Sequence, residues 1–417
     1  MMKALVLAGG FPQIALIQDI KARGIEVVLA DYNENPVARP YADRYYQVST
    51  LDIDAITRVA MDEKVDFLIT ACTDQALLTV ACVSEKLGLP CYIDYQTALN
   101  VTNKAYMKEK FVEFGVPTAK HVIMGELDVS RIRDMEYPLI VKPVDCNSSK
   151  GVKKVNNLAE LEVAFAEAVR LSRTATAVVE DFIEGPELTV DAYIEDGVAH
   201  LLSVSNNEKI ASEEKFVIFR TKYPAAISKD VYDQLQRTVQ GIADAFELKN
   251  CPMLVQLITD GRRVFVLEFS ARTGGGVKYL LIRKASGFDV IGAVVDLTLG
   301  KKPHADPDVP AFNYVANEFI YCYPGTFDHL DGFAELKEQG IIADYYLFKT
   351  AGAVFNSVDS SGDRVCGFTV HGNTPEEIEE NHRKAAATIR VLDVNGRDIM
   401  RHDLLTDLKY ETERMFS

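Results

Sequence analysis

A mixed α/β and α+β architecture with more than one domain is what this chain predicts, on three observations. Residues 3 to about 93 alternate apolar strand-like runs with amphipathic helical patterns, as a parallel sheet with helices on both faces requires. Further on, TAVVEDFI and PELTVDAYIEDG are consecutive strand patterns parted only by Glu184-Gly185-Pro186, and 253–271 reads as a hairpin around Asp260-Gly261. At 417 residues the chain is also too long for one ordinary core.

The elements follow in order. Strand patterns KALVLA, IEVVLAD (25–31), VDFLITA (65–71) and PCYI (90–93) enclose helices at PQIALIQDIKARG, DIDAITRVAMDEK and DQALLTVACVSEKLG. Gly9-Gly10 after the first strand and Asp31 ending the second invite a dinucleotide site. AGGFPQ is not GxGxxG, however, and Pro12 occupies the turn, so the glycines are read as turn residues. A helix over NKAYMKEKFVEFG stops at Gly115 and Pro117. YPLIVKP (137–143) then leads into the polar loop DCNSSKG (145–151), and helices are expected at 157–172, 228–248, 277–299, 327–338 and 375–390. NEFIYCY, GAVFNSV and GFTVHG supply the late strand patterns.

Composition narrows the function. A net charge of −16, from 61 acids against 45 bases, argues against a nucleic-acid partner. The seven cysteines show no CxxC pair and read as reduced thiols rather than a disulfide or zinc framework. The N-terminus reads as a first strand rather than a signal peptide, and no run approaches the roughly 20 apolar residues of a membrane helix. A soluble, cytoplasmic protein is expected.

Chemistry concentrates in separated places. Lys104 opens a helix, and Lys142 ends the strand LIVK before a loop of small polar residues, where an ammonium and backbone N–H groups can meet phosphate oxygens. Glu180 and Glu187 bracket Phe182-Ile183; apolar walls there suit a nucleobase, and a carboxylate suits ribose hydroxyls. In VFVLEFSARTGGG, alternation places Phe265, Leu267, Phe269 and Ala271 on one face, and Glu268, Ser270 and Arg272 on the other behind Val264 and Val266. Gln256 lies on the partner arm of that hairpin. A two-residue turn would pair it with Phe265 and a loop of about five residues with Glu268; the sequence leaves both open. Hard oxygens of this kind, with phosphate oxygens, are what Mg2+ uses.

Together these motifs resemble the ATP-grasp superfamily, in particular its carboxylate–amine ligase branch, which is related to biotin carboxylase, the carbamoyl-phosphate synthase large subunit and the L-amino-acid ligases. The resemblance implies an N-terminal Rossmann-like pre-ATP-grasp domain (1–95). It further implies a two-lobed ATP-grasp domain (96–310, lid lobe about 117–182, larger lobe about 183–310) and a C-terminal α+β extension (311–417). It casts Lys104 and Lys142 as phosphate-binding lysines, DCNSSKG with Ser149 as the lid, and Glu180, Phe182 and Ile183 as the adenine hinge. Glu187 becomes the ribose acid, Gln256, Glu268 and Ser270 the metal ligands, and Arg272 the arginine that steadies an acyl phosphate. Two departures stand out: Ser270 occupies the usual Asn position, and the lid has a single glycine.

The implied reaction joins a small carboxylic acid to an amine or ammonia through an acyl phosphate, with ATP and Mg2+ (or Mn2+) and without nucleic acid or membrane. Arg220, Lys222 and Arg283 are further candidate anion contacts, and a homodimer is an expected assembly. A phosphotransferase or carbamoyl-phosphate-type enzyme on the same fold, or an inactive ATP-binding module, are the alternatives.

Overall fold

Runs such as Ala4-Leu5-Val6-Leu7 are apolar on both faces of a strand, so both faces must be covered. The computed structural model describes residues 2–146, 150–210, 217–305 and 312–410, and it covers them so. Strands Arg44–Gln47, Glu26–Asp31, Lys3–Leu7 and Phe67–Ile69, in that order, form a four-stranded parallel sheet. Leu5, Leu7 and Val28 pack beneath helices Ile53–Glu63 and Asp74–Leu87. Ala4, Val6, Val27 and Leu29 face helix Phe11–Ala22 on the other side. The Asp31 carboxylate accepts from the Gly9 and Asn33 N–H groups at 2.6 and 2.7 Å, so it ties down its own loop.

One strand of this unit differs from expectation. PCYI is not a strand: Pro90 lacks an N–H, and Asp94 already caps helix Tyr95–Asn100 by accepting from Thr97, which leaves no length for one. The fourth strand is instead the short, half-exposed edge segment Arg44–Gln47, too brief and polar-ended to show in the hydrophobic pattern.

A second, antiparallel sheet orders His121–Met124, Ala177–Asp181, Leu139–Pro143 and Lys153–Val155, and helix Leu158–Leu171 covers it through Leu161, Phe165 and Ala168. The chain then crosses Gly185, whose φ is +150°, into a large sheet. A Cβ there would lie 1.9 Å from the Thr259 carbonyl oxygen, so only glycine fits the crossing.

The large sheet has eight strands: Val264–Ser270, Cys251–Thr259, Glu187–Glu195, Val198–Lys209, Ile218–Tyr223, Tyr314–Ile320, Cys366–Gly372 and Asp344–Leu347, all antiparallel. Arg220 pairs with Glu318, so the sheet runs on past residue 310. Leu188, Val190, Ala192 and Ile194 turn to a core shared with Val239, Ile242, Phe246 and Phe269.

Two expected helices are reorganised. The stretch 277–299 is two helices, Lys278–Ser286 and Val290–Thr298, because Gly287 ends the first at φ +73° and Asp289 caps the second. The second helix shares a core with Ile17 and Ile20 through Ile291 and Val294, and Arg23 bridges to Asp296 at 2.5 Å. Of 327–338 only Phe333–Glu338 is helical; the residues before Gly332 belong to strand Gly325–Asp331.

Candidate functional site

The decisive local feature is a bulge. From the turn outward, Thr259 pairs with Val264, Ile258 with Phe265 and Leu257 with Val266; then the register shifts and Gln256 pairs with Glu268. Leu267 is the extra residue. A four-residue turn (260–263) plus this bulge, rather than a longer loop, therefore sets Gln256 opposite Glu268. It also corrects the face assignment. Val264 and Val266 lie in the core with Phe269 and Ala271, while Leu267 and Glu268, though adjacent, both line open space. Alternation read straight through the strand puts the two valines on the wrong side.

Two cavities meet at this point, sharing Lys104, Ile218, Gln256 and Glu268 in their walls. The first lies between the small and the large sheet, with a volume of about 130 Å3. Ile140, Phe182, Ile183, Ile258 and Leu267 give it apolar walls, and its charges are Lys104, Lys142, Lys150 and Lys209 with Glu180, Asp181, Glu187 and Glu268. Asn103 caps helix Lys104–Glu113, accepting from the Ala105 and Tyr106 N–H groups, which fixes Lys104 at the helix start. Lys104 Nζ pairs with Glu268 Oε2 at 2.9 Å and donates to the Cys146 carbonyl at 2.8 Å. Burial would drive both groups neutral. Their mutual attraction outweighs it, raising the lysine and lowering the carboxyl, so both stay charged. Glu268 still leaves 34% of its side chain open to the cavity.

Glu180 lines the first cavity with Phe182 and Ile183. Its carboxylate is held between Lys142 Nζ at 2.5 Å and Lys108 Nζ at 2.9 Å, all three nearly sealed from solvent. Burial pushes the carboxyl up, but the two cations bring it down to about 2. Lys142 and Glu180 are diagonal neighbours on paired strands, Ile140 standing opposite Glu180. Glu187 accepts from Asn207 Nδ2 at 3.0 Å and pairs with Lys209. Phe182 carries the Lys154 ammonium 4.1 Å above its ring. Ser149 lies outside the described residues.

The second cavity, about 560 Å3, extends from Glu268 past Ser270 and Arg272 to the glycine run 274–276 and on to Arg364. Arg272 grips Asp74 with two nitrogens, Nε to Oδ1 at 2.8 Å and Nη2 to Oδ2, and donates from Nη1 to the Thr273 carbonyl at 2.8 Å. Burial alone would raise Asp74, yet the guanidinium holds it ionised, with further help from Ser270. Ser270 thus supports a carboxylate here.

As a divalent-cation site the junction offers one carboxylate, Glu268, with the neutral oxygens of Gln256 and Ser270. Among the described residues no group of three or more His, Cys, Asp or Glu side chains is placed to hold a metal. That donor set suits Mg2+, which takes one or two carboxylates and completes its shell with water and phosphate oxygens.

Three candidates fall outside both cavities. Arg220 is 1% exposed and donates to Glu318 at 2.5 Å, Glu208 at 2.9 Å and the Thr406 carbonyl at 2.5 Å, with His382 Nε2 at 3.2 Å; it knits the sheet to the C-terminal segment. Lys222 pairs with Glu208 at 2.6 Å and donates to the Lys409 carbonyl, and Arg283 pairs with Asp289 at the surface. Conversely, Lys108, Asp74, Asn207 and Arg364 belong to the site region and were not singled out from sequence. Only Lys108 had a signal, standing one helical turn after Lys104; Asp74 meets an arginine 198 residues away.

Comparison with known proteins finds family matches in two segments of the chain. Residues 135–279 match the ATP-grasp domain family and residues 318–392 the L-amino acid ligase C-terminal domain 2. The carbamoyl phosphate synthase large chain of Clostridium acetobutylicum is 26% identical over 293 residues, 68% of this chain but only 27% of that protein. Phosphoribosylamine–glycine ligase of Streptomyces coelicolor is 24% identical over 409 residues, covering 93% of this chain and 96% of that one. The crystal structure of the L-amino acid ligase from Bacillus licheniformis superposes with a TM-score of 0.79 at 20% identity, over 94% of this chain and 99% of that one.

Proposed function

For a chain that carries an ATP-grasp domain over 135–279 and an L-amino acid ligase C-terminal domain over 318–392, we propose an ATP-dependent carboxylate–amine ligase. One observation carries the reading. The apolar, lysine-lined cavity and the larger polar cavity open onto each other at Lys104, Gln256 and Glu268. A nucleotide held in the first directs its terminal phosphate at a small molecule held in the second.

In this reading Phe182, Ile183, Ile140 and Leu267 enclose the base, Glu187, held by Asn207, meets the ribose, and Lys104 and Lys142 meet the phosphates. At about 130 Å3 the first cavity is narrower than usual ligand pockets. Glu268 and Gln256, with Ser270, would hold Mg2+, which would supply compensation of phosphate charge. A carboxylate oxygen of the acid bonds to the γ-phosphorus as the bond to ADP breaks. The amine lone pair then attacks the acyl carbon, inorganic phosphate leaves with the C–O electrons, and the amine loses a proton. Arg272, held in place by Asp74, is positioned to offset charge on the acyl oxygen.

The substrates are a small carboxylic acid and an amine or ammonia. Similarity to the carbamoyl phosphate synthase large chain favours one second reading, a phosphotransferase whose product leaves as a phosphate. The test is ADP and phosphate release with Mg2+-ATP across a panel of carboxylic acids, each with and without amino acids and ammonia. Release that needs both partners is expected. Acid-dependent release that ignores the amine would support the phosphotransferase, and release needing no acid would exclude both.

A further inference from the structure

The proposed reaction leaves one buried lysine in the wall of the second cavity without a task, Lys278. It is 8% exposed and opens helix Lys278–Ser286, just past the glycine run. Its Nζ donates to Ser205 Oγ at 2.7 Å, and Asp191 Oδ2 lies 3.9 Å away. That carboxylate accepts from Ser203 at 2.8 Å, while its Oδ1 has no hydrogen-bond partner among the described residues.

The pair behaves oppositely to Lys104 and Glu268. There a 2.9 Å contact raises the lysine and lowers the carboxyl. At 3.9 Å burial outweighs attraction: the Lys278 ammonium is lowered and the Asp191 carboxyl raised, each toward its neutral form. The positive end of the helix also disfavours a cation on its first residue. Glu187 is the other charge acting on Lys278, in favour of the ammonium. Charged groups on the strands and helix packed against its own have partners: Glu318 and Glu208 have Arg220, Lys209 has Glu187, His200 has Glu195 and Asp296 has Arg23. Across the cavity Arg272 is held by Asp74.

Position gives this lysine its reach. Glu268 pairs with Gln256, Gln256 with Thr189 and Thr189 with Ser205, so the four side chains form one row across four strands of the large sheet. With strands about 4.8 Å apart, the row runs roughly 14 Å from the phosphate end to the partner of Lys278. That length holds a phosphoryl group, an acyl group and an amine in succession. Ser205 is fully buried, which leaves Lys278 as the group that meets a ligand there.

We propose that Lys278 is the proton acceptor for the attacking amine, a catalytic role that deepens the ligase reading and rests on it. The amine arrives as an ammonium ion, which has no lone pair to attack with. Lys278 Nζ, uncharged, takes one of its protons and becomes an ammonium held by Ser205 and Asp191. The freed lone pair forms the C–N bond, inorganic phosphate leaves with the C–O electrons, and the amide nitrogen gives its second proton to that phosphate. Lys278 then returns its proton to solvent.

The experiment follows product formation against pH in the full chain, with the acid and amine that the panel identifies and with hydroxylamine in place of the amine. Hydroxylamine is a weak base, uncharged at neutral pH, and needs no proton acceptor before it attacks. Lys278→Met lowers kcat with the ordinary amine roughly 100- to 10,000-fold at neutral pH, the scale of general-base catalysis. With hydroxylamine the loss is a few-fold at most. Lys278→Arg keeps the charge but cannot give up its proton, so it is as impaired as Lys278→Met. Asp191→Asn removes a carboxylate that favours the ammonium, so the acid limb of kcat moves to lower pH. This second variant decides the matter if Lys278→Met does not fold. Equal losses with amine and hydroxylamine, a fully active Lys278→Arg, or a limb that Asp191→Asn leaves in place would each overturn the assignment while the ligase reading stands. A wild type that consumes neither amine nor hydroxylamine ends both.

Discussion

Arg220 lies buried in a strand of the large sheet and Arg272 half-buried just past the end of another, and both are gripped by carboxylate. Arg272 meets Asp74 beside open space, next to Glu268 and ahead of three glycines. Arg220 meets Glu318, Glu208 and two carbonyls and lines neither of the two cavities. Pairing is the same in kind, so it does not mark a functional residue. The distinguishing property is whether a ligand can reach the charge. A buried pair that faces no space can act only on stability, and removing one partner strands the other.

Substitutions sharpen this contrast. The largest expected effect is at Glu268: Glu268→Gln removes the one carboxylate at the junction and lowers kcat at least ~1,000-fold, the scale of losing a principal electrostatic group. Some thermal stability is lost as well, because Lys104 loses its partner, but less than at a pair sealed from solvent on both sides. A folded Glu268→Gln enzyme with near-normal turnover would break the comparison at its functional end. Arg220→Met should do the opposite, costing about 3–5 kcal/mol in denaturant unfolding by leaving Glu318 buried without its cation. Its kcat, measured on the folded fraction, should be unchanged.

Glu180 stands between the two cases, since its partners Lys108 and Lys142 adjoin the first cavity. Its carboxyl is lowered from 4.5 to about 2 in the folded protein. The stability it contributes is therefore fully present above about pH 4.5 and is lost as pH falls toward 2. Wild type should exceed Glu180→Gln by a few kcal/mol near neutrality, and the gap should close across that acid window in urea titrations. A gap independent of pH would show that the side chain acts through packing. Smallest of all, Arg283→Ala at the exposed Asp289 pair should change stability by no more than about 0.5 kcal/mol and leave KM for every substrate alone.

How far the sequence could be read follows the same line. Local periodicity identified the parallel unit, the hairpin and most helices because each depends on residues close in the chain. Arg44–Gln47 escaped because four half-exposed residues make no pattern. The helix expected at 277–299 was split by Gly287 and the Asp289 cap, signals that a continuous apolar run outweighed. At the site, motif order singled out Lys104, Lys142, Gln256 and Glu268, which the structure brings together. The side on which Val264 and Val266 lie depended on the bulge at Leu267, a property of strand pairing that one strand's alternation does not contain. Asp74 and Arg364 are brought in from distant segments by tertiary packing. Arg220 looked like a site residue because a charge in a strand reads the same whether it faces a ligand or another strand.

The central claim, that a carboxylate is activated where the two cavities meet, has a direct test in oxygen transfer. Once the panel identifies a substrate acid, it is supplied with both carboxylate oxygens labelled with oxygen-18, together with the amine and Mg2+-ATP. The inorganic phosphate released is then examined by mass spectrometry. Passage through an acyl phosphate leaves one labelled oxygen in each phosphate, at the rate of product formation, and the transfer is lost in Glu268→Gln. Unlabelled phosphate released alongside amide product would mean that the carboxylate is never phosphorylated, contradicting the account.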